Sequence, residues 1–246
     1  MKICIVIPTY NERENLSKLV PKIEDVLFNS HLEGYIVIVD DKSPDGTGEL
    51  AEQLAKEYGN IMVLHRHGKL GIGSAYREAF QKILNNLDVD VVLEMDADLS
   101  HDPAYIPSLV KTINDGYDLV IGSRYVKGGD VSNWSIVRRI ISKGANFLAK
   151  NLTGVKINDM TSGFRAYSIK ALRSIDLEGI RSNGYAFQVE ILYKCIKAGF
   201  KAVECPIVFR ERNEGKSKLG IRAVPEFLKT LVKIFIDRFN VLINLR

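Results

Sequence analysis

The chain has 246 residues, 46% hydrophobic and 26% charged, with a formal net charge of +4. A chain this long buries roughly 70–75% of its unfolded surface, so it needs no disulfide or metal staple to fold, and so mild a charge makes no electrostatic case for nucleic acid. Cys4, Cys195 and Cys205 form no C-x-x-C spacing and are expected to be reduced thiols of a cytoplasmic protein.

Residues 2–7 (KICIVI) predict a strand buried on both faces; this apolar run is too short for a signal peptide. Leu16, Leu19, Val20, Ile23, Val26 and Leu27 recur at a helical period and predict a helix over 15–28. A strand at 35–39, a turn-rich stretch at 40–48 and a helix over 49–58 follow. A third strand at 61–64 leads through a glycine loop into a helix over 74–85. Residues 89–95 predict a strand that stops at Asp96, with a helix over 105–114 and a fifth strand at 119–122. This alternation means βαβ units and a mainly parallel sheet flanked by helices.

The second half is less regular. It predicts a helix over 136–152, a turn at 159–164, a short strand at 165–167 and a helix over 187–198 stopped by Gly199. A strand at 202–209, a polar basic loop at 211–220 and a helix over 224–245 complete the chain. No repeat or linker is evident, so one α/β domain is expected over 1–220, with halves meeting near residue 125, followed by an amphipathic helix within 221–246. No uninterrupted apolar stretch reaches the ~20 residues of a membrane span.

Ligands of open parallel sheets bind beyond the carboxyl ends of the strands. Polar residues collect at four such ends: Pro8 to Glu12, Asp40-Asp41, Asp96-Ala97-Asp98 and Gly122-Ser123-Arg124. The D-x-D is the sharpest. Two neighbouring carboxylates stay ionised most readily beside a cation, and Mg²⁺ combines one or two carboxylates with substrate phosphate oxygens. A turn or helix cap before Pro103 is the plainer explanation, and placement at a strand end weakens it. Asp41 is open between turn chemistry and a hydrogen bond to a nucleoside. The run Gly68 to Gly73 matches neither phosphate-loop pattern and is open between a crossing loop and a ligand loop. Arg124, Arg138, Arg139, Arg210, Arg212, Lys216 and Lys218 suit an anionic second substrate or a solvated basic surface. No nucleic-acid module is present, so nucleic acid is not an expected partner. His65, His67 and His101 are scattered and read as structural or solvated.

The motifs VIPTYNERENL (6–16), VDDKSPDGT (39–47) and MDADLSHDP (95–103) are those of the broad glycosyltransferase class. GSRYVKGG (122–129), RRIISKGANFLA (138–149), TSGFRAY (161–167), GYAFQVE (184–190) and FRERNEGKSKLG (209–220) are narrower. With them the chain resembles the dolichyl-phosphate mannosyltransferase family, inverting glycosyltransferases with the Rossmann-like GT-A fold. The resemblance implies mannose transfer from GDP-mannose to a polyprenyl (dolichyl) monophosphate, with Mg²⁺ or Mn²⁺. It implies that 1–124 binds the nucleotide-sugar and 125–220 the acceptor. By position, Pro8, Tyr10, Glu12, Val39 and Asp41 hold guanosine. Asp96, Ala97 and Asp98 hold the diphosphate and metal, with Asp98 the surer ligand. Arg124, Arg138 and Ser142 hold the lipid phosphate, and Arg212 and Lys218 lie on a loop closing over the donor.

The chain departs from that family's pattern in two places. Ser100 stands where some members place a Gln metal ligand, so the resemblance puts a weaker third donor there, and Lys42 replaces the usual glycine. A lipid acceptor implies a membrane surface, met peripherally at the cytoplasmic face. Phe227, Leu228, Leu231, Ile234, Phe235 and Leu242 could form the apolar face of the last helix, with Lys229, Lys233 and Arg246 near headgroups. Packing on the domain or docking to a small membrane-spanning anchor subunit are the alternatives. Rival functions are a UDP-glucose-dependent polyprenyl-phosphate glucosyltransferase, a sugar-nucleotide pyrophosphorylase, and a non-catalytic nucleotide-sugar-binding subunit.

Overall fold

The computed structural model describes residues 1–210 and 223–244. Strand β1 (Lys2–Thr9) lies between β2 (Glu33–Asp40) and β4 (Val91–Glu94), parallel to both, with β3 (Ile61–His65) beyond β2. The full order of the seven-stranded sheet is β3-β2-β1-β4-β7-β5-β8, where β5 is Leu119–Ser123, β7 is Arg165–Ser168 and β8 is Ala202–Pro206. β7 runs antiparallel to both neighbours, β4 and β5.

Alternation along the strands builds two cores. Cys4, Val6, Val37, Val39 and Val92 face one side of the sheet, and Ile3, Ile5, Ile7, Ile36, Ile38 and Leu93 face the other. Helix α3 (Ile72–Asn86) and helix α7 (Gly184–Lys197) cover the first face through Tyr76, Phe80, Ile83, Phe187 and Ile191. The second face is covered by α1 (Arg13–Asn29), α2 (Thr47–Tyr58) and α4 (Ile106–Asn114), through Leu16, Leu19, Ile23, Leu54 and Leu109. Both faces of the strands are therefore dry, which is why they read as apolar runs.

The single strand expected over 202–209 divides. Pro206 has no N–H to continue the ladder. Ile207 then bridges, its N–H bonding the Ser123 carbonyl and its own carbonyl accepting from Asp130 N, both at 3.0 Å. Beyond it β9 (Val208–Phe209) pairs with β6 (Asp130–Val131) in a separate ribbon. A short helix, α6 (Ile169–Ser174), was not expected; the Ser168 hydroxyl caps it by accepting from Ala171 N at 3.2 Å.

Helix α5 (Ile136–Thr153) begins at an N-cap on Ser135 and ends at Gly154 in the left-handed region, φ +71°. The last helix, α8 (Ala223–Asn244), packs against α7 and α5. Its expected apolar face splits. Leu231 and Ile234 enter the first core with Phe227 against it, whereas Leu228 and Phe235 stay exposed beside Val224, Val232, Ile236 and Phe239. The side chain of Leu242 lies outside the described residues, as do Arg212, Lys216, Lys218 and Arg246. The three cysteines are free, Cys4 and Cys195 buried. Among the described residues no helix is long and apolar enough to cross a membrane.

Candidate active site

Because β1 pairs with β2 on one edge and β4 on the other, strand order reverses at β1, and a crevice opens past the carboxyl ends of β1 and β4. A cleft of about 290 Å³ occupies this place, bordered by Tyr10, Asp41, Asp96, Arg124, Trp134 and Arg138 among others.

The carboxylate turn begins where β4 leaves the sheet. Met95 N still bonds the Val6 carbonyl at 3.1 Å, and the chain then turns outward at Asp96. Asp98 Oδ1 accepts both the Ser100 N–H at 3.0 Å and the Ser100 hydroxyl at 2.5 Å. Leu99 between them sits at φ +63°, a strained conformation for a branched side chain. The helix cap after this turn is Asp102, which accepts from Ala104 N at 3.0 Å. The turn explanation thus holds for one oxygen of Asp98, while the Asp96 side chain is 25% exposed and borders the cleft. Asp98 is 5% exposed and borders the same cleft.

Ser100, expected as a weaker metal donor, is 1% exposed, does not border the cleft and donates its hydroxyl proton to Asp98.

On the β2 side, Asp40 closes its own loop by accepting from Thr9 and Ser43. Asp41 borders the cleft, with Oδ1 held by Arg66 at 2.6 Å and Oδ2 accepting Leu70 N at 3.2 Å. Arg66, 6% exposed, is a fixing residue that the sequence did not reveal. Lys42, in the glycine position, has φ +58°, which explains the glycine preference. The glycine loop borders the cleft at Lys69 and Gly71, with Lys69 Nζ 4.1 Å from the Tyr10 ring centroid. A Cβ on Gly73 would lie 2.6 Å from the Ser182 carbonyl, so this glycine serves close packing of α3.

Arg124, at the end of β5, is 7% exposed. Its Nε and NH2 donate to Asp159 at 2.7 and 2.6 Å, NH2 also reaches Thr161 at 3.1 Å, and its backbone N–H bonds Asp159 at 2.9 Å. Burial works against the guanidinium charge, but the Asp159 carboxylate outweighs it and raises the pKa above the ordinary value. Arg138, half-buried near the start of α5, lies over Trp134 at 4.1 Å, and Arg124 lies 5.3 Å from the same ring. One indole thus packs both guanidiniums at the cleft wall. Asn146 ties α5 to the 159–161 turn by donating to Thr161 at 3.1 Å and accepting from Met160 N at 2.7 Å.

Beneath the carboxylate turn lies a buried polar cluster. Glu94 accepts from Tyr167 at 3.0 Å and Gln188 at 2.7 Å, and burial raises its pKa to about 7. Arg165, wholly buried, donates to the carbonyls of Ser162, Met160 and Gln188. The TSGFRAY segment is therefore largely scaffold.

Of the residues the resemblance singled out, the cleft brings together Pro8, Tyr10, Glu12, Asp41, Asp96, Ala97, Asp98, Arg124 and Arg138. Val39 and Ser142 do not border it. Val39 is wholly buried in the first core and offers its carbonyl to Thr9, while the Ser142 hydroxyl accepts from Tyr125 at 2.7 Å. His101, Trp134 and Gln188 border the cleft without having been expected there.

Residues 4–176 match the family described as glycosyl transferase family 2. The polyprenol monophosphomannose synthase of Mycolicibacterium smegmatis is 45% identical over 217 residues, covering 88% of this chain and 80% of that protein. The undecaprenyl-phosphate mannosyltransferase of Micrococcus luteus is 42% identical over 220 residues, covering 89% and 88%. Among solved structures, glucosyl-3-phosphoglycerate synthase from Mycobacterium tuberculosis, crystallised with Mn²⁺, UDP-glucose and phosphoglyceric acid, superposes with a TM-score of 0.72 at 18% identity, covering 95% of this chain and 79% of that one. That likeness speaks to the fold alone, a GT-A fold. By sequence, the chain belongs to glycosyl transferase family 2, where its similar curated relatives are polyprenyl-phosphate mannosyltransferases.

Proposed function

We propose that this protein transfers mannose from GDP-mannose to a polyprenyl monophosphate with inversion, releasing GDP. The observation that carries the reading is one cleft at the strand-order reversal with the carboxylates of Asp96 and Asp98 and the Arg124–Trp134–Arg138 group on its walls. The relatives' names support mannose and a polyprenyl phosphate.

The donor set suits a hard divalent cation. Asp96 and Asp98 supply oxygen, and no group of three His, Cys, Asp or Glu able to hold a metal occurs among the described residues. Diphosphate oxygens and water would complete the shell, as is usual for Mg²⁺ and Mn²⁺. When bound, the ion neutralises charge developing on the departing diphosphate. Pro8, Tyr10, Glu12 and Asp41 face the nucleoside end, Asp41 held still by Arg66.

The acceptor is a phosphate monoester with a second pKa near ~6, largely dianionic at pH 7. One of its oxygens attacks the anomeric carbon as the bond from that carbon to the diphosphate breaks, and no proton has to move. Arg138, with the rim of Arg124 beside it, aligns this anion against the sugar.

The membrane assignment shifts from α8 alone to α5 with α8. On α5, Ile136, Val137, Ile140, Ile141 and Phe147 are 62–76% exposed, with Arg139, Lys143 and Lys150 on the same helix. Apolar residues flanked by bases suit a helix lying in the headgroup region, and α5 also carries Arg138. The reading is therefore peripheral attachment that brings lipid phosphate to the arginine wall.

Purified protein with Mn²⁺ or Mg²⁺, GDP-mannose or UDP-glucose, and a short polyprenyl phosphate tests the reading. Mannosyl lipid and GDP are expected. Glucosyl transfer alone would refute the donor assignment, and nucleotide-sugar synthesis from sugar phosphate would refute the reaction class. Binding without turnover would leave a non-catalytic subunit.

A further inference from the structure

His101 lies three residues beyond Asp98 and is 2% exposed, yet it borders the cleft. Its ring stacks on Phe164 at 5.0 Å and 17°, and meets Phe209 edge-on at 5.4 Å and 76°. The two aromatic contacts fix the plane of the imidazole. Within that plane, Nδ1 accepts the backbone N–H of Asp96 at 3.1 Å. An accepting Nδ1 places the proton of the neutral ring on Nε2. Nε2 lies 4.0 Å from Asp96 Oδ2. That gap is too long for a hydrogen bond, but a shift of about 1 Å by the partly exposed carboxylate closes it, and such contacts commonly tighten only in the loaded site. Gly163 flanks both groups: a Cβ there would make ordinary contact, 3.7 Å from Asp96 Oδ1 and 3.8 Å from His101 Cε1.

We propose that His101 is the positioning residue of the carboxylate turn, in which Nδ1 fixes the Asp96 peptide and Nε2–H steers the Asp96 carboxylate toward the cation. The inference rests on the reading of Asp96 as a metal-side carboxylate. It also explains the local sequence. Phe164 and Phe209 clamp the ring, and Asp102 starts the next helix so that His101 is delivered back under the turn.

Asparagine and glutamine separate the two nitrogens. His101→Asn retains an acceptor near the Nδ1 position and loses the Nε2 donor. His101→Gln reaches the Nε2 position with an amide N–H and gives up the Nδ1 acceptor. The test is Mn²⁺ titration of the full chain with GDP present, alongside GDP titration without metal and thermal melting. For His101→Asn the expected result is Mn²⁺ affinity weakened about 10–100-fold, the usual effect of removing a partner behind a ligand. Metal-free GDP affinity and melting temperature should stay near wild type. Recovery of Mn²⁺ affinity in His101→Gln would add support. Wild-type Mn²⁺ affinity in His101→Asn would overturn the inference, because fixing the peptide would then suffice. Wild-type protein that binds no Mn²⁺ with GDP would overturn the metal reading itself, and this inference with it.

Discussion

Replacing Asp159 by Asn tests how the arginine wall is built. Asp159 is wholly buried and accepts three N–H groups of Arg124, at 2.6, 2.7 and 2.9 Å. The amide cannot accept along both edges and carries no charge, so a buried guanidinium loses its counter-ion. Breaking a buried pair from one side costs about 3–5 kcal/mol. At about 2–4 °C per kcal/mol for a chain this size, the melting temperature should fall by about 6–20 °C. Urea unfolding followed by circular dichroism checks this, comparing midpoints at equal slope. A loss below about 1 kcal/mol would refute the reasoning, since it would make the pair equivalent to a solvated surface contact. The result also governs how Arg124→Ala is read. That variant strands the Asp159 carboxylate in the interior, so a rise in acceptor KM mixes a lost phosphate contact with a disturbed fold. Asp159→Asn keeps the guanidinium, and its acceptor KM isolates the second effect.

Glu94→Gln should flatten the pH dependence of stability. Burial raises the folded pKa to about 7 from the ordinary 4.5, so the folded state favours the protonated acid. Stability from this group is complete below about pH 4.5 and is lost as pH rises through about 7, on the order of 3 kcal/mol in all. The substitution removes that loss, because the Gln188 amide can turn its carbonyl, which has no partner among the described residues, toward the new amide; unfolding midpoints at pH 5 and 8 compare the two proteins, and an unchanged slope would count against the burial account. Lys42→Gly should stabilise by about 0.5–1 kcal/mol, the left-handed penalty less the entropy of glycine, while Lys42→Ala should change midpoints little; equal effects of the two would contradict a backbone origin. Ile140→Asp with Phe147→Asp should reduce co-sedimentation with anionic vesicles several-fold while leaving melting unchanged, since both side chains are exposed. Retained binding would remove α5 from the membrane surface.

The sheet was legible because β1, β2 and β4 are buried on both faces and so carry unbroken apolar runs. Asp96 and Asp98 stood out because they end such a run. β7 was legible as a short strand, but its antiparallel insertion between β4 and β5 was not, since no local pattern encodes strand order. The partners that hold the site were hidden for the same reason. Arg66 and Asp41 are 25 residues apart, and Arg124 and Asp159 are 35 apart. Each charge alone looks like a surface residue or a ligand, and only the fold shows it neutralised. Asp159, in the turn between α5 and the buried strand β7, was the available hint of a buried partner. For α5, periodicity indicated a helix but not which side faces out, and its isoleucines resemble core residues.

These pairings change the electrostatics expected of the cleft. Counted from sequence, Arg124 and Arg138 are two positive charges for an acceptor phosphate. In the fold, Asp159 offsets Arg124 and Arg66 offsets Asp41. Among the described residues, and with those two partners included, the charges in and behind the cleft wall are Glu12, Asp41, Asp96, Asp98 and Asp159 against Arg66, Lys69, Arg124 and Arg138. Carboxylates outweigh cations among these residues, so by themselves they do not favour a dianion. In the proposed reaction a divalent cation at the carboxylate turn would reverse that balance, and the donor diphosphate would then occupy much of the added charge. Arg124 contributes an oriented edge of donors, held against Trp134 at no cost in net charge, and Arg138 on the same indole presents a second guanidinium from α5. In that reaction the acceptor phosphate would be drawn more by geometry than by net charge, a weak attraction that suits a lipid substrate held at a membrane surface, which the proposal places beside α5.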